Sequence, residues 1–256
     1  MPPAVPKTVF TKLSKAPIVE AVIELKVRMA GQVDPARFLD FRDQLVEHFP
    51  VSRDMQYVQS LLHFDAEKGP QQVLETGKAG IRLESADQRW VVQARVDGVS
   101  ISRLAPYERW EALRQQAEAV WPVYIRALNP TTVIRLGVRY INRVELADEV
   151  IDFDRVLTVG PKIPPALPQK LTEFFSRIVI PMEEKRATLV LVQAFDPPPP
   201  AQGGALPAVV LDIDAFSEQS HEIESREIWD ALERLRGLKN MAFFNCITAD
   251  TLETLK

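Results

Sequence analysis

Val133-Ile134-Arg135-Leu136-Gly137-Val138-Arg139-Tyr140-Ile141-Asn142-Arg143-Val144-Glu145-Leu146 is the stretch whose reading decides the fold. At period two its even positions are Ile134, Leu136, Val138, Tyr140, Asn142, Val144 and Leu146. Its odd positions include Arg135, Gly137, Arg139, Arg143 and Glu145. Side chains alternate across a strand, so this pattern predicts one face sunk in a core and one carrying a row of guanidinium groups.

Upstream, Asn129-Pro130 marks a junction, and the 112 residues of 17–128 read as a first half preceding this strand. Pro17–Arg28 alternates in the same way. Val19, Ala21, Ile23, Leu25 and Val27 take one face, and Glu20, Glu24, Lys26 and Arg28 the other. Asp34-Pro35 then signals a helix start, followed by Phe38, Phe41, Leu45 and Phe49 at helical spacing. Met55–Phe64, Gln71–Thr76, Gly80–Ser85, Trp90–Val96 and Val99–Leu104 read as strands joined by short polar turns. Val96-Asp97-Gly98-Val99 has the chemistry of a type I′ hairpin. Trp110, Leu113, Ala117, Val120, Trp121, Tyr124 and Leu128 form the stripe of a second helix, with a kink or break expected at Pro122.

Downstream, the second half (129–256) repeats this order loosely. Strands are expected over Phe174–Ile180, Arg186–Phe195 and Pro207–Ile213. A helix capped by Ser225, bearing Ile228, Trp229, Leu232 and Leu235, should stop at Gly237, and a tail helix follows over Asp250–Leu255. Residues 1–16 are a lead-in, and Thr158–Lys170 and Asp196–Leu206 are long proline-rich loops that suggest functional lips or tethers. The sum is an α+β fold: a curved, mainly antiparallel sheet with a few long helices packed on one face, its two loosely similar halves forming one domain.

Composition narrows the function. Net charge is −4 over 256 residues, so no global field favours nucleic acid or an anionic membrane. Charge is nevertheless unevenly spread: 78–143 holds 11 basic and 6 acidic residues, 144–256 holds 11 and 19. That polarity permits a self-complementary homodimer without requiring one. Trp110, Trp121 and Trp229, three of the four tryptophans, fall on helix stripes and read as core, which makes them a poor base-stacking set. Nothing resembles a membrane span. Cys246 is the sole cysteine and sits among Phe243, Phe244 and Ile247, reading as a buried thiol in a cytoplasmic protein. His48, His63 and His221 share no ligand spacing. No nucleophile elbow, Walker loop or dinucleotide fingerprint occurs, so the sequence implies no cofactor and no catalytic residue.

Ala16-Pro17-Ile18-Val19-Glu20-Ala21-Val22, Arg139-Tyr140-Ile141-Asn142-Arg143 and Phe243-Phe244-Asn245-Cys246-Ile247-Thr248 resemble a sporadically distributed, uncharacterised bacterial family of about this length. The resemblance spans nearly the whole chain and implies a bacterial, cytoplasmic, single-chain protein, with no catalytic residues to carry over.

Two constellations remain. If the first and central strands are neighbours, Glu20 and Glu24 lie near Arg135, Arg139 and Arg143. A structural ladder of such pairs contributes roughly 0.2–1 kcal/mol each. Alternatively Gly137 leaves a hollow between two arginines for a phosphate or carboxylate, and Arg82, Arg95 and Arg103 extend the surface. This favours a non-catalytic binding protein for an acidic partner or small anion. Asp212-Ile213-Asp214 supports the alternative, a metal-dependent enzyme acting on phosphate esters or nucleic acid with Asp212 and Asp214 as metal ligands. The plainer reading of that pair is an acidic strand end.

Overall fold

Antiparallel pairing of the first strand with the central one organises the molecule. The computed structural model describes residues 13–65, 69–146, 152–197 and 206–256, with backbone only over 57–65 and 69–78. The lead-in through residue 12, the His63 side chain and the middle of the Asp196–Leu206 loop lie outside what is described.

In chain order the elements are β1 (Ile18–Met29), α1 (Arg37–Asp43), β2 (Val51–Asp65), β3 (Gly69–Glu84), β4 (Trp90–Arg95), β5 (Gly98–Leu104), α2 (Trp110–Leu128) and β6 (Pro130–Glu145). They continue as α3 (Phe153–Val156), β7 (Phe175–Met182), β8 (Ala187–Asp196), β9 (Ala208–Ser217), β10 (His221–Glu222), α4 (Glu227–Cys246) and α5 (Ala249–Thr254). One antiparallel sheet runs β2-β3-β4-β5-β1-β6-β9-β8-β7, with the short β10 also on β6. In each half the first strand lies beside the last, β1 by β5 and β6 by β9, and a long helix follows. The α2 helix packs on β1 and β5, and α4 on β6, β8 and β9. The expected α+β layout therefore holds: a curved sheet, one face under helices and the other bare.

The alternation of the two central strands sets which side chains go where. Ala21, Ile23, Leu25 and Val27 of β1 and Leu136, Val138, Tyr140, Asn142 and Val144 of β6 are buried. Two positions depart from strict period two. Ile134 is the extra residue where β6 slips against β1 between Lys26 and Val27, so Val133 rather than Ile134 enters the core. A second slip between Ile18 and Glu20 leaves Val19 exposed. Asn142 sits buried because its amide donates to the Leu211 carbonyl at 2.9 Å.

Several local expectations are corrected. Gln71–Thr76 and Gly80–Ser85 are parts of one strand, β3. The Arg95–Gly98 hairpin forms, but Val96 and Asp97 are its loop residues and neither has positive φ, so it is not type I′. Gly98 instead permits a close approach: its φ is +150°, and a Cβ there would lie 2.3 Å from the Leu25 carbonyl oxygen. The α1 helix starts at Arg37, with the Asp34 carboxylate accepting from the Ala36 N–H at 2.9 Å. Phe38, Phe41, Leu45 and Phe49 are all buried as the spacing predicts. Pro122 does not break α2, which runs continuously to Leu128. Proline is on the exposed side of the helix, so the carbonyl it leaves without an N–H partner is not sealed in the core. Asn129 then ends the helix in the left-handed conformation, φ 54°, ahead of Pro130. Gly237 does not stop α4. The buried face of Leu235, Leu238, Ala242 and Phe243 continues beyond it, and packing outweighs the intrinsic cost of one exposed glycine.

The helix-covered side also holds polar groups. Tyr107 and Tyr140 share a 2.6 Å hydroxyl contact under edge-to-face rings. Lys239 of α4 is 7% exposed, with Nζ 3.6 Å from the Tyr140 ring centroid. Arg103 is on this side as well, 5.0 Å from the centre of the Trp90 ring and paired with Glu108 at 2.8 Å. Cys246 is half-buried rather than fully buried, and burial pushes its thiol pKa up.

Candidate functional site

The bare face of the sheet gathers the charged residues that alternation turns away from the core. Register places them in rows. Ser102, Val22, Arg139, Asp214, Val190 and Val179 stand side by side on β5, β1, β6, β9, β8 and β7. One rung along, Arg82, Gln93, Ser100, Glu24, Gly137 and Phe216 form the next row. Side chains on β1, β4, β5, β6 and β9 enclose a concavity of about 450 Å³, lined by Glu20, Glu24, Lys26, Arg95, Arg139 and Asp214 among others.

An alternating chain of charges crosses its floor. Lys26 and Arg95 each lie 3.4 Å from Asp97, and Arg95 reaches Glu24 at 3.1 Å. Glu24 also accepts from Arg135, which donates its other terminal nitrogen to Asp214 at 2.8 Å. Arg135 further stacks over Phe216, 4.2 Å from the ring centre. Burial pushes the Asp214 carboxyl pKa up, against the opposing pull of Arg135. The space beside Gly137 is not an open hollow for a ligand, because Arg135 itself occupies it. A Cβ on Gly137 would meet Arg135 Nη1 at 3.0 Å, so the missing side chain makes room for that guanidinium to fold across its own strand.

The three arginines are not equivalent. Arg135 is spent between Glu24 and Asp214, 18% exposed. Arg143 donates to Asp196, Glu145 and the Leu206 carbonyl, each at 2.9 Å. Arg139 holds Asp212 in a two-pronged pair at 2.8 and 2.5 Å, yet its side chain stays 50% exposed. That bond to Asp212 raises the Arg139 pKa, keeping it charged. Diagonal to it, Glu20 faces the concavity with no hydrogen bond or ion pair among the described residues, and the hydroxyls of Ser100 and Ser102 are likewise unengaged.

Asp212 and Asp214 sit on the bare face in the middle of β9, so the acidic-strand-end reading is corrected. Each carboxylate turns to an arginine, and among the described residues no group of three or more His, Cys, Asp or Glu side chains is arranged for a metal ion. Arg82 and Arg95 share the bare face. Arg103 does not, since it pairs with Ala21 on the buried side. His48 is exposed, and His221 Nε2 is buried with no partner among the described residues. Ser100, Ser102, Gln93 and Asp97 were missed by sequence reasoning. Their only signal is strand parity, and parity acquires meaning once β4 and β5 are known to flank β1.

No family model matches the chain, and no curated protein sequence is similar to it. No helix among the described residues is long and apolar enough to cross a membrane.

Proposed function

We propose that this chain is a non-catalytic binding protein whose bare sheet face receives a carboxylate or phosphate, carried by a small anion or an acidic partner, at Arg139. One observation carries the reading. Arg139 remains half-exposed on the wall of a polar concavity after pairing with Asp212, in the same row as the free Ser102 hydroxyl. Asp212 holds the guanidinium plane in place, so little side-chain freedom is left to lose on binding. Glu20 beside it disfavours ligands of high negative charge and selects a single anionic group with a donor next to it. The lone cysteine suits a reducing cytoplasm, where we place the protein.

Calorimetric titration with inorganic phosphate and with succinate tests the site. Binding that Arg139→Glu abolishes and Arg143→Gln retains is the expected result. No heat from either anion at millimolar concentration, or equal binding by Arg139→Glu, refutes it. The metal-dependent alternative requires Mg²⁺ or Mn²⁺ to displace arginines from Asp212 and Asp214. It is supported if Mn²⁺ raises the melting temperature and Asp212→Ala removes that rise.

A further inference from the structure

The β7 strand closes one end of the sheet order, and among the described residues nothing pairs with its outer side. It is also apolar where exposed: Phe175 is 69% exposed, Ile178 48% and Val179 46%. Exposed edges are normally blunted by charge, bulges or proline. Here Arg177 is the one charge and Pro181, next to the strand's end, the one proline within Phe175–Met182, and the β7·β8 register has no slip.

The direction of the free hydrogen-bonding groups follows from one bond. Phe195 donates its N–H to the Phe174 carbonyl at 3.1 Å, so even-numbered residues of this segment face β8. Phe175, Arg177 and Val179 therefore aim their N–H and C=O groups outward. Pro181 is also an odd position, so its missing N–H costs the β8 ladder nothing.

We infer that β7 pairs antiparallel with β7 of a second copy of this chain, across a two-fold axis through Ile178. In that register Ile178 meets itself, Arg177 lies opposite Val179 of the second copy, and Phe175 donates to the Pro181 carbonyl. Outward groups meet outward groups throughout, and Pro181 supplies only the acceptor that is asked of it. The register one rung away that centres on Arg177 sets two guanidiniums face to face. The one centred on Val179 leaves Phe175 beyond the ladder. The chosen register alone covers all three exposed apolar residues with no like charges opposed within the strand. Glu173 and Glu183, which it brings level, lie beyond the strand's ends. A self-complementary edge of this kind fits a second copy better than an unrelated extended peptide. The dimer would join the two sheets into one, leaving both Arg139 concavities open on the bare face.

Sedimentation velocity of the full chain over a concentration series tests this, with two edge variants and two cysteine variants. Val179→Pro removes an outward N–H without touching the β8 ladder, and Ile178→Lys opposes two ammonium groups across the axis. The expected result is a concentration-dependent dimer whose dissociation constant rises about tenfold or more in each. In a Cys246→Ser background, Ile178→Cys should cross-link to itself on mild oxidation, because facing Cα atoms in a non-hydrogen-bonded pair are about 4.5 Å apart. Ser176→Cys, out of register with itself, should not. A monomer at every concentration, a dimer untouched by both edge variants, or Ser176→Cys cross-linking in place of Ile178→Cys overturns the inference.

Discussion

Lys239→Met should stabilise the protein at neutral pH and flatten its pH dependence on the alkaline side. Lys239 lies in the core with no carboxylate partner among the described residues, and burial together with nearby Arg236 lowers its pKa from 10.5 to about 7. A lowered lysine pKa means the unfolded chain binds a proton that the folded chain declines. The resulting penalty is complete at and below about pH 7 and fades as pH rises towards 10.5. The whole difference corresponds to about 5 kcal/mol, of which about 2 kcal/mol is recovered between pH 7 and pH 9. At and below about pH 7, where folded Lys239 carries charge, its contact with the Tyr140 ring, lost in the variant, offsets about 1–2 kcal/mol of this. Burial lifts Tyr107 to about 12 and Tyr140 well above 10, so both stay protonated in the folded state across that window. Urea denaturation of both proteins at pH 7, 8 and 9 isolates the lysine, since all other titrations cancel in the difference. The advantage of Lys239→Met should shrink by about 2 kcal/mol over this range. A difference that stays constant would mean that Lys239 is charged in the folded state throughout, and the reasoning would fail.

Three further substitutions probe the sheet and its helices. Glu24→Ala removes the carboxylate shared by Arg95 and Arg135, leaving them Asp97 and Asp214, and a loss of about 1–3 kcal/mol in chemical denaturation is expected, with Glu24→Gln costing less. Gly98→Ala forces a Cβ against the Leu25 carbonyl at the β1·β5 junction. It should cost more than about 1 kcal/mol and lower the melting temperature by several degrees. Gly237→Ala, with nothing within 4 Å of its Cβ, should raise stability by about 0.5–1 kcal/mol, read in the same assay.

Sequence alone determined the alternation of β1 and β6, the apolar stripe of α2, the four buried residues around α1 and the α+β class. These depend on the repeat of each element, and that repeat is local: a side chain's face follows from its parity along the strand or its angle around the helix. It also determined that Glu24 and Arg135 would each lie on the polar face of its own strand. Only the tertiary structure decided their bonds. Whether Arg139 meets Asp212, whether Arg135 is trapped between Glu24 and Asp214, and whether Arg103 belongs to the same surface all depend on strand order and register, which bring residues more than 70 positions apart into line. Local rules also failed at Gly237 and Pro122, where burial of a long apolar face overrode the signals for stopping or breaking a helix. The slips beside Ile134 and Val19 belong to the same class. A one-residue bulge reverses parity at a place set by the partner strand, and the strand's own residues carry no record of it.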